Sequence, residues 1–410
     1  MRRLSLWLAV GSAASILVSI AISQILLALA LSVLLLSGLP LRWPKTSAGL
    51  GLFLLWTLLS LAFSPDPGHG TAQIRKMFVF LILLVFYSSV RSLADARWLV
   101  YAWAGLGAVT AGRGFYQYIR DITLAREANM DFYHYYISGR ISGFMSHWMT
   151  FSGQQLFILL LVGAWLLFAP PRRECWWLWL PCGAVVGLAL VLSDTRSVWL
   201  ATLAGGFYLL WRWNVKAALA MPVLVALGLL FAPSAVKQRA VSIVKPEKET
   251  DSNAHRITAW RTGLQMIKAH PVFGVGPEEI AKPEVFDSYV PVDIQRPLPT
   301  GFYGHLHSIY VHYAAERGIP AALLLTGALL YAIWRFHAAI LKLPAGRSYQ
   351  RFLLEFSVAS VIAVMVSGVF ELNLGDSEVL TMFLVVLCLG ELALTSTSVN
   401  ETKFGSSWLS

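Results

Sequence analysis

"HLHSIYVHYAAERGIPA", His305 to Ala321, joins a long polar segment to a long apolar one. Histidines, a glutamate and an arginine crowd the mouth of a stretch apolar enough to enter a membrane. Charge near hydrocarbon is costly, so charge placed there calls for a function or a partner. Around this stretch the chain is 57% hydrophobic and only 13% charged over 410 residues. A soluble protein of that length carries about 25% charged residues. The apolar residues come in runs rather than stripes, which marks an all-α polytopic membrane protein.

A helix needs about 20 residues to cross the hydrocarbon core. The run Leu4 to Leu41 fits two passes, breaking near Gln24. Further spans are expected from about residues 48, 75, 97, 149, 175, 196 and 215, and then from 307, 352 and 377. That makes about 12 transmembrane helices. The expected organisation is a bundle over 1–232, with a short outer segment at 119–148. An outer loop follows at 233–306, then the last spans at 307–396 and a tail at 397–410. The opening "MRRLSLWLAV" resembles a signal peptide, but no small-residue cleavage site leads into a polar stretch, so an uncleaved membrane segment is expected.

With the N-terminus inside, the inner face carries Arg2, Arg3, Arg42, Lys45, Arg91, Arg97, Arg172, Arg173, Arg212, Lys216, Arg335, Lys342, Arg347, Arg351 and Lys403. The short outer turns near Gln24 and Asn373 carry no basic residue, as the positive-inside rule requires, and both termini are expected in the cytoplasm. The remaining basic residues gather on the outer side, where they form either a solvated loop or a seat for an anionic headgroup. The net charge of +10 thus reports membrane topology, and no nucleic-acid motif accompanies it. Cys175, Cys182 and Cys388 have neither disulfide nor metal-ligand spacing.

In the outer loop, Asn253 is placed to cap a helix from about Ala254 to Lys268, with Ile257, Trp260, Leu264 and Ile267 along one face. Arg256 and Arg261, five residues apart, project about 140° from each other. A helix from His307 would align His307, Val311 and Ala314, with Gly318 and Pro320 loosening it. His307 there is either a proton acceptor near neutral pH or an interfacial side chain bonded to headgroups. The His305-x-His307 pair lacks further ligands at metal spacing, so no metal is expected.

Arg196 falls in a short outer turn beside Asp194, paired with it or free to meet a phosphate. Arg75 and Lys76 open a membrane helix on its outer side, and Arg140 and His147 precede another. Glu371, Asp376 and the neighbouring Glu378 mark the last outer turn as counter-ions or sugar contacts. No phosphate-binding Gly-Lys loop or dinucleotide fingerprint is present, so no nucleotide and no cofactor is expected. A pyrophosphate-linked lipid would carry its own energy, and clustered Arg and Lys would neutralise its leaving group.

These residues resemble the O-antigen ligase family within the O-antigen ligase/polymerase superfamily of bacterial inner-membrane glycosyltransferases. "HSIYVHYAAERGIPA" resembles its His-[Asn/Ser/Gln]-x9-Gly pattern, with Ala321 departing where Gly, Thr or Tyr is more usual, and "RSVWL", Arg196 to Leu200, resembles its Arg-x3-Leu pattern. The resemblance implies a GT-C-type fold and a periplasmic active site. It implies transfer of O-antigen from undecaprenyl pyrophosphate to lipid A-core, without ATP or metal and with inversion. It implies His307 as general base and Arg196 and Arg261 on the pyrophosphate, with Lys76 and Arg140 as further contacts. Arg75, His147, His305, Glu371 and Asp376 would support them. An O-antigen polymerase has similar chemistry. A transporter of lipid-linked sugar is the reading from another class, and would need charges in mid-membrane and alternating-access repeats.

Overall fold

Serines break the first apolar run. The helices Arg2–Ser15 and Ile20–Leu36 meet at residues 16–19, earlier than the expected break near Gln24. Ser19 caps the second helix by accepting from the Ile22 N–H at 3.4 Å. The Ser12 and Ser23 hydroxyls each donate to the other's carbonyl at 2.8 Å. These bonds satisfy polar groups where water is absent, and that fixes the hairpin.

The computed structural model describes residues 1–170, 176–242, 252–296, 298 and 304–396. Among them all regular structure is helical. Arg172, Arg173, Cys175, Lys245, Lys248 and Lys403, and the tail after Ser396, lie outside the described residues, as does the side chain of Asn253.

The apolar stretches expected to span all lie in helices. Among the described residues, Lys45–Ala62, Pro67–Ser89, Trp148–Phe168, Ile319–Lys342, Tyr349–Phe370 and Ser377–Thr395 are long and apolar enough to cross a membrane. Ile20–Leu36, Trp176–Leu192 and Val215–Phe231 are apolar but shorter. The protein is therefore a multi-pass, all-helical membrane protein. Tyr349–Phe370 and Ser377–Thr395 form its centre: 78% of each is buried, against 33% of Ile319–Lys342 at the periphery.

The carboxylates inside this bundle are paired. Glu355 accepts from Tyr208 Oη at 2.7 Å and from Arg212 Nε at 3.3 Å. Glu391 accepts from Arg335 Nη2 at 2.9 Å and from the Thr46 N–H at 3.2 Å. Breaking one such pair leaves a buried charge at a cost of about 3–5 kcal/mol, so each fixes helix register.

Two expected boundaries move. The segment 119–148 is not all loop, because Leu93–Glu127 continues as one helix of 35 residues into it. At 1.5 Å per residue this helix is about 50 Å long and exceeds the hydrocarbon core. The chain after His307 does not start a membrane helix directly. It forms the short helix Ile309–Arg317, breaks at Gly318 and continues as Ile319–Lys342.

Gly318 makes that break with φ of 87°, and a Cβ there would lie 1.8 Å from the Val272 carbonyl oxygen. The loop after helix Ser252–Ala269 is laid into the gap. Ile319 N–H donates to Pro271 O at 2.8 Å, and Val275 N–H donates to Ala315 O at 2.9 Å. Gly318→Ala is expected to cost at least about 1–3 kcal/mol from the backbone conformation alone. It should lower the unfolding temperature of the purified protein; an unchanged temperature would contradict the close approach.

Candidate active site

His307 is not part of a helix. Ser308 caps Ile309–Arg317, accepting from the Val311 N–H at 3.4 Å, and this leaves His307 just ahead of the cap with φ of 49°. A non-glycine residue in that conformation is uncommon and clusters at functional sites. The expected face of His307, Val311 and Ala314 therefore does not form.

The segment is held from several sides. His307 N–H donates to His305 Nδ1 at 3.3 Å, and Trp260 Nε1 donates to His307 O at 3.4 Å. The His255 and His305 rings lie edge-on to His307, with centroids at 4.9 and 4.1 Å. His307 Nδ1 is 3.5 Å from Glu371 Oε2, just past the end of Tyr349–Phe370. Arg256 Nη2 donates to Glu371 Oε1, and its Nε donates to Phe370 O at 3.1 Å. Burial pushes the Glu371 carboxyl up, but His307 and Arg256 outweigh it and hold the group below the usual carboxylate range. The result is a half-buried imidazole oriented by an ionised carboxylate, an arrangement suited to general-base chemistry.

Arg261 does not join this group. It is exposed and pairs with Asp293 at 2.8 Å. Helix Ser252–Ala269 buries Ala259, Thr262 and Met266; of the expected apolar face, Trp260 and Ile267 are partly buried while Ile257 and Leu264 are exposed. Arg256 lies toward the buried side and Arg261 away from it.

A second group forms at the turn 193–195. Arg196 starts helix Arg196–Trp213 rather than sitting in the turn, and it is buried. It turns to Ser242, donating from Nη1 to its carbonyl and its hydroxyl at 2.8 Å each. Arg239 Nε and Arg140 Nη1 donate to the Asp194 carbonyl at 3.0 and 3.4 Å. Arg140 also stacks over Trp148 at 4.7 Å. Burial, and then Arg239, lower the Arg140 guanidinium to about 10, while burial pushes the Asp194 carboxyl up to about 7. Both shifts are caused first by burial, as expected for a buried cluster of arginines around the Asp194 turn.

Between these groups lies a cavity of about 520 Å³. Its polar lining includes Lys76, Glu278, His147, His305, His312, Glu316, Arg317, Glu371 and Asp376, and its apolar lining includes Phe53, Leu156, Phe157, Leu325 and Phe383. His307, Arg140 and Arg196 stand behind this lining, the first against Glu371 and the last beside Thr195. Lys76 is exposed at the rim, 3.2 Å from Glu278. Arg75 is exposed and does not line the cavity. His147 caps Trp148–Phe168 by accepting from Met149 N–H at 3.2 Å, and burial and Arg140 hold its ring below the usual range. Asp376 caps Ser377–Thr395 through Glu378 N–H at 3.1 Å and accepts from Thr150. Burial, and then His307, push the His305 imidazole down to about 3.

Glu316 and Arg317 form a buried pair at 2.9 Å, and Arg317 also donates to Thr57 at 3.2 Å and Gln73 at 3.1 Å. Among the described residues no group of three His, Cys, Asp or Glu side chains could hold a metal ion.

No curated protein matches the chain. The family model described as O-Antigen ligase matches residues 181–326. That stretch carries Arg196, Arg256, His307 and the break at Gly318, and over it the chain is similar to the O-antigen ligase family.

Proposed function

We propose that this protein is an O-antigen ligase, a glycosyltransferase that moves O-antigen polysaccharide from undecaprenyl pyrophosphate to lipid A-core. The observation that carries this reading is the His307–Glu371–Arg256 arrangement beside a cavity lined by both polar and apolar side chains. Glu371 holds Nδ1 of His307, which leaves Nε2 for the acceptor hydroxyl. The acceptor oxygen attacks the anomeric carbon as its proton passes to His307, and the bond to the pyrophosphate oxygen breaks with inversion. The leaving pyrophosphate takes the electron pair, and its charge is met by Arg140, Arg196 and Lys76, with Arg239 as a fourth cation. Arg261, expected on the pyrophosphate, takes no part in this reading, and Arg256 acts on Glu371 instead. The apolar wall around Phe157 and Phe383 suits the polyprenyl chain.

In this reading the chain has about 12 spans in a GT-C-type arrangement. It lies in the bacterial inner membrane, with both termini cytoplasmic and the site periplasmic. Arg2, Arg91, Arg212 and Arg335 support that orientation, since they lie at the end of the bundle opposite the cavity.

The chemistry needs neither nucleotide nor metal. Release of undecaprenyl pyrophosphate from the glycan donor, in the presence of lipid A-core, is expected to proceed unchanged in excess EDTA and without ATP. Loss of release that only a divalent ion restores would overturn the mechanism.

A further inference from the structure

The mechanism above uses one histidine of the segment His305 to Arg317 as its base, yet a second His–Glu pair faces the same cavity. His312 is 4% exposed and lines the cavity wall. Its Nε2 lies 3.6 Å from Glu316 Oε2. Glu316 is fixed in turn by Arg317 Nε at 2.9 Å and by the Glu278 N–H at 2.8 Å. A carboxylate facing Nε2 selects the tautomer that carries its proton there, so Nδ1 holds a lone pair. Burial keeps the ring neutral, against the pull of Glu316. Nδ1 is buried and has no hydrogen-bond partner among the described residues.

A buried acceptor left unmet is destabilising, and native proteins rarely leave one so. This acceptor can take an O–H or N–H donor and repels phosphate oxygens. The cation beside His312 on this wall, Arg317, is already matched by Glu316. The wall therefore favours an uncharged, hydroxyl-bearing group, in contrast to the cationic cluster of Arg140, Arg196 and Arg239. We propose that His312 Nδ1 accepts a hydrogen bond from a sugar hydroxyl drawn into the cavity, so that the Glu316–His312 pair is a glycan subsite and His312 a specificity-determining residue. This rests on the glycosyl-transfer reading. The hydroxyl belongs either to the donor glycan near its pyrophosphate or to the acceptor core.

The test is steady-state kinetics of the full-length protein with undecaprenyl-pyrophosphate-linked glycan and lipid A-core. Wild type is compared with His312→Leu, which removes the acceptor, and His312→Asn, whose Oδ1 falls near Nδ1. His312→Leu is expected to raise one KM about tenfold with little change in kcat, and His312→Asn to recover most of it. A rise in the donor KM assigns the hydroxyl to the donor glycan, and a rise in the acceptor KM assigns it to the core. Equal KM values in all three proteins, as a cavity water alone would give, overturn the subsite, and so does a loss confined to kcat. Should His312→Leu not fold, His312→Gln replaces it, since its acceptor falls near Nε2; Asn and Gln variants with equal KM overturn the proposal.

If the wild type turns over neither substrate, the transfer reading fails, and binding then decides the subsite. The probes are undecaprenyl-pyrophosphate-linked glycan and bare undecaprenyl pyrophosphate. A wild-type preference for the glycan-bearing lipid that His312→Leu abolishes supports the subsite, and the absence of that preference overturns it.

Discussion

Replacing His307 with alanine is expected to slow transfer by about 10²–10⁴-fold, the usual contribution of a general base. The protein should still fold. His307 is held through its backbone and ring edges, while the caps and helix contacts around it come from Ser308, Trp260 and Gly318. The KM for the donor should change little, since the side chain meets the acceptor hydroxyl rather than the pyrophosphate. Glu371→Gln should lose part of the same rate, because the amide no longer stabilises the imidazolium that forms when the proton is taken. Purified His307→Ala with an unchanged turnover number would remove the base assignment, and with it the explanation of the strained φ at this position.

The second large effect separates two arginines on one helix. Arg256→Ala should reduce turnover at least tenfold, because Glu371 is buried and, among the described residues, then keeps the 3.5 Å contact to His307. Arg256→Lys should recover little, since a single ammonium cannot serve both Glu371 and the Phe370 carbonyl. Arg261→Ala should leave turnover within about twofold, as its partner Asp293 is equally exposed and solvent screens the pair. Turnover measured for the three variants side by side checks this. A large loss on Arg261→Ala with a small one on Arg256→Ala would reverse the assignment and restore the reading taken from the sequence.

That reversal shows what linear pattern can carry. The helices were legible because long apolar runs have few alternatives in a membrane. Helix Ser252–Ala269 was legible too, but its buried side was not. Ile257 and Leu264 form the more hydrophobic stripe, yet Ala259, Thr262 and Met266 pack inward. Small side chains let the helix approach its neighbours closely, so Ala259 and Thr262 lie at the contact. The helical pattern left open which arginine faces inward, and Arg261 was expected at the site only from the resemblance.

His307 itself was visible in the contrast between a polar segment and the apolar run after it. Its place before the helix was not visible, because Gly318 and the Pro271–Gly276 loop fix that geometry through contacts distant in sequence. Arg239 sits in "SAVKQRAV", a stretch with no motif, and only the fold brings it to the Asp194 turn. Glu316 and Arg317 were legible as charges at a helix mouth, whereas their pairing beneath the cavity depends on Thr57, Gln73 and the loop before Glu278.

The most direct measurement is a reconstitution of the purified protein with undecaprenyl-pyrophosphate-linked O-antigen and lipid A-core, free of nucleotide, with the products separated on a gel. A ladder of glycan built on lipid A-core is the expected result. Lengthened lipid-linked glycan without transfer would contradict ligation and identify a polymerase, and unchanged substrates would return the chain to the transporter reading.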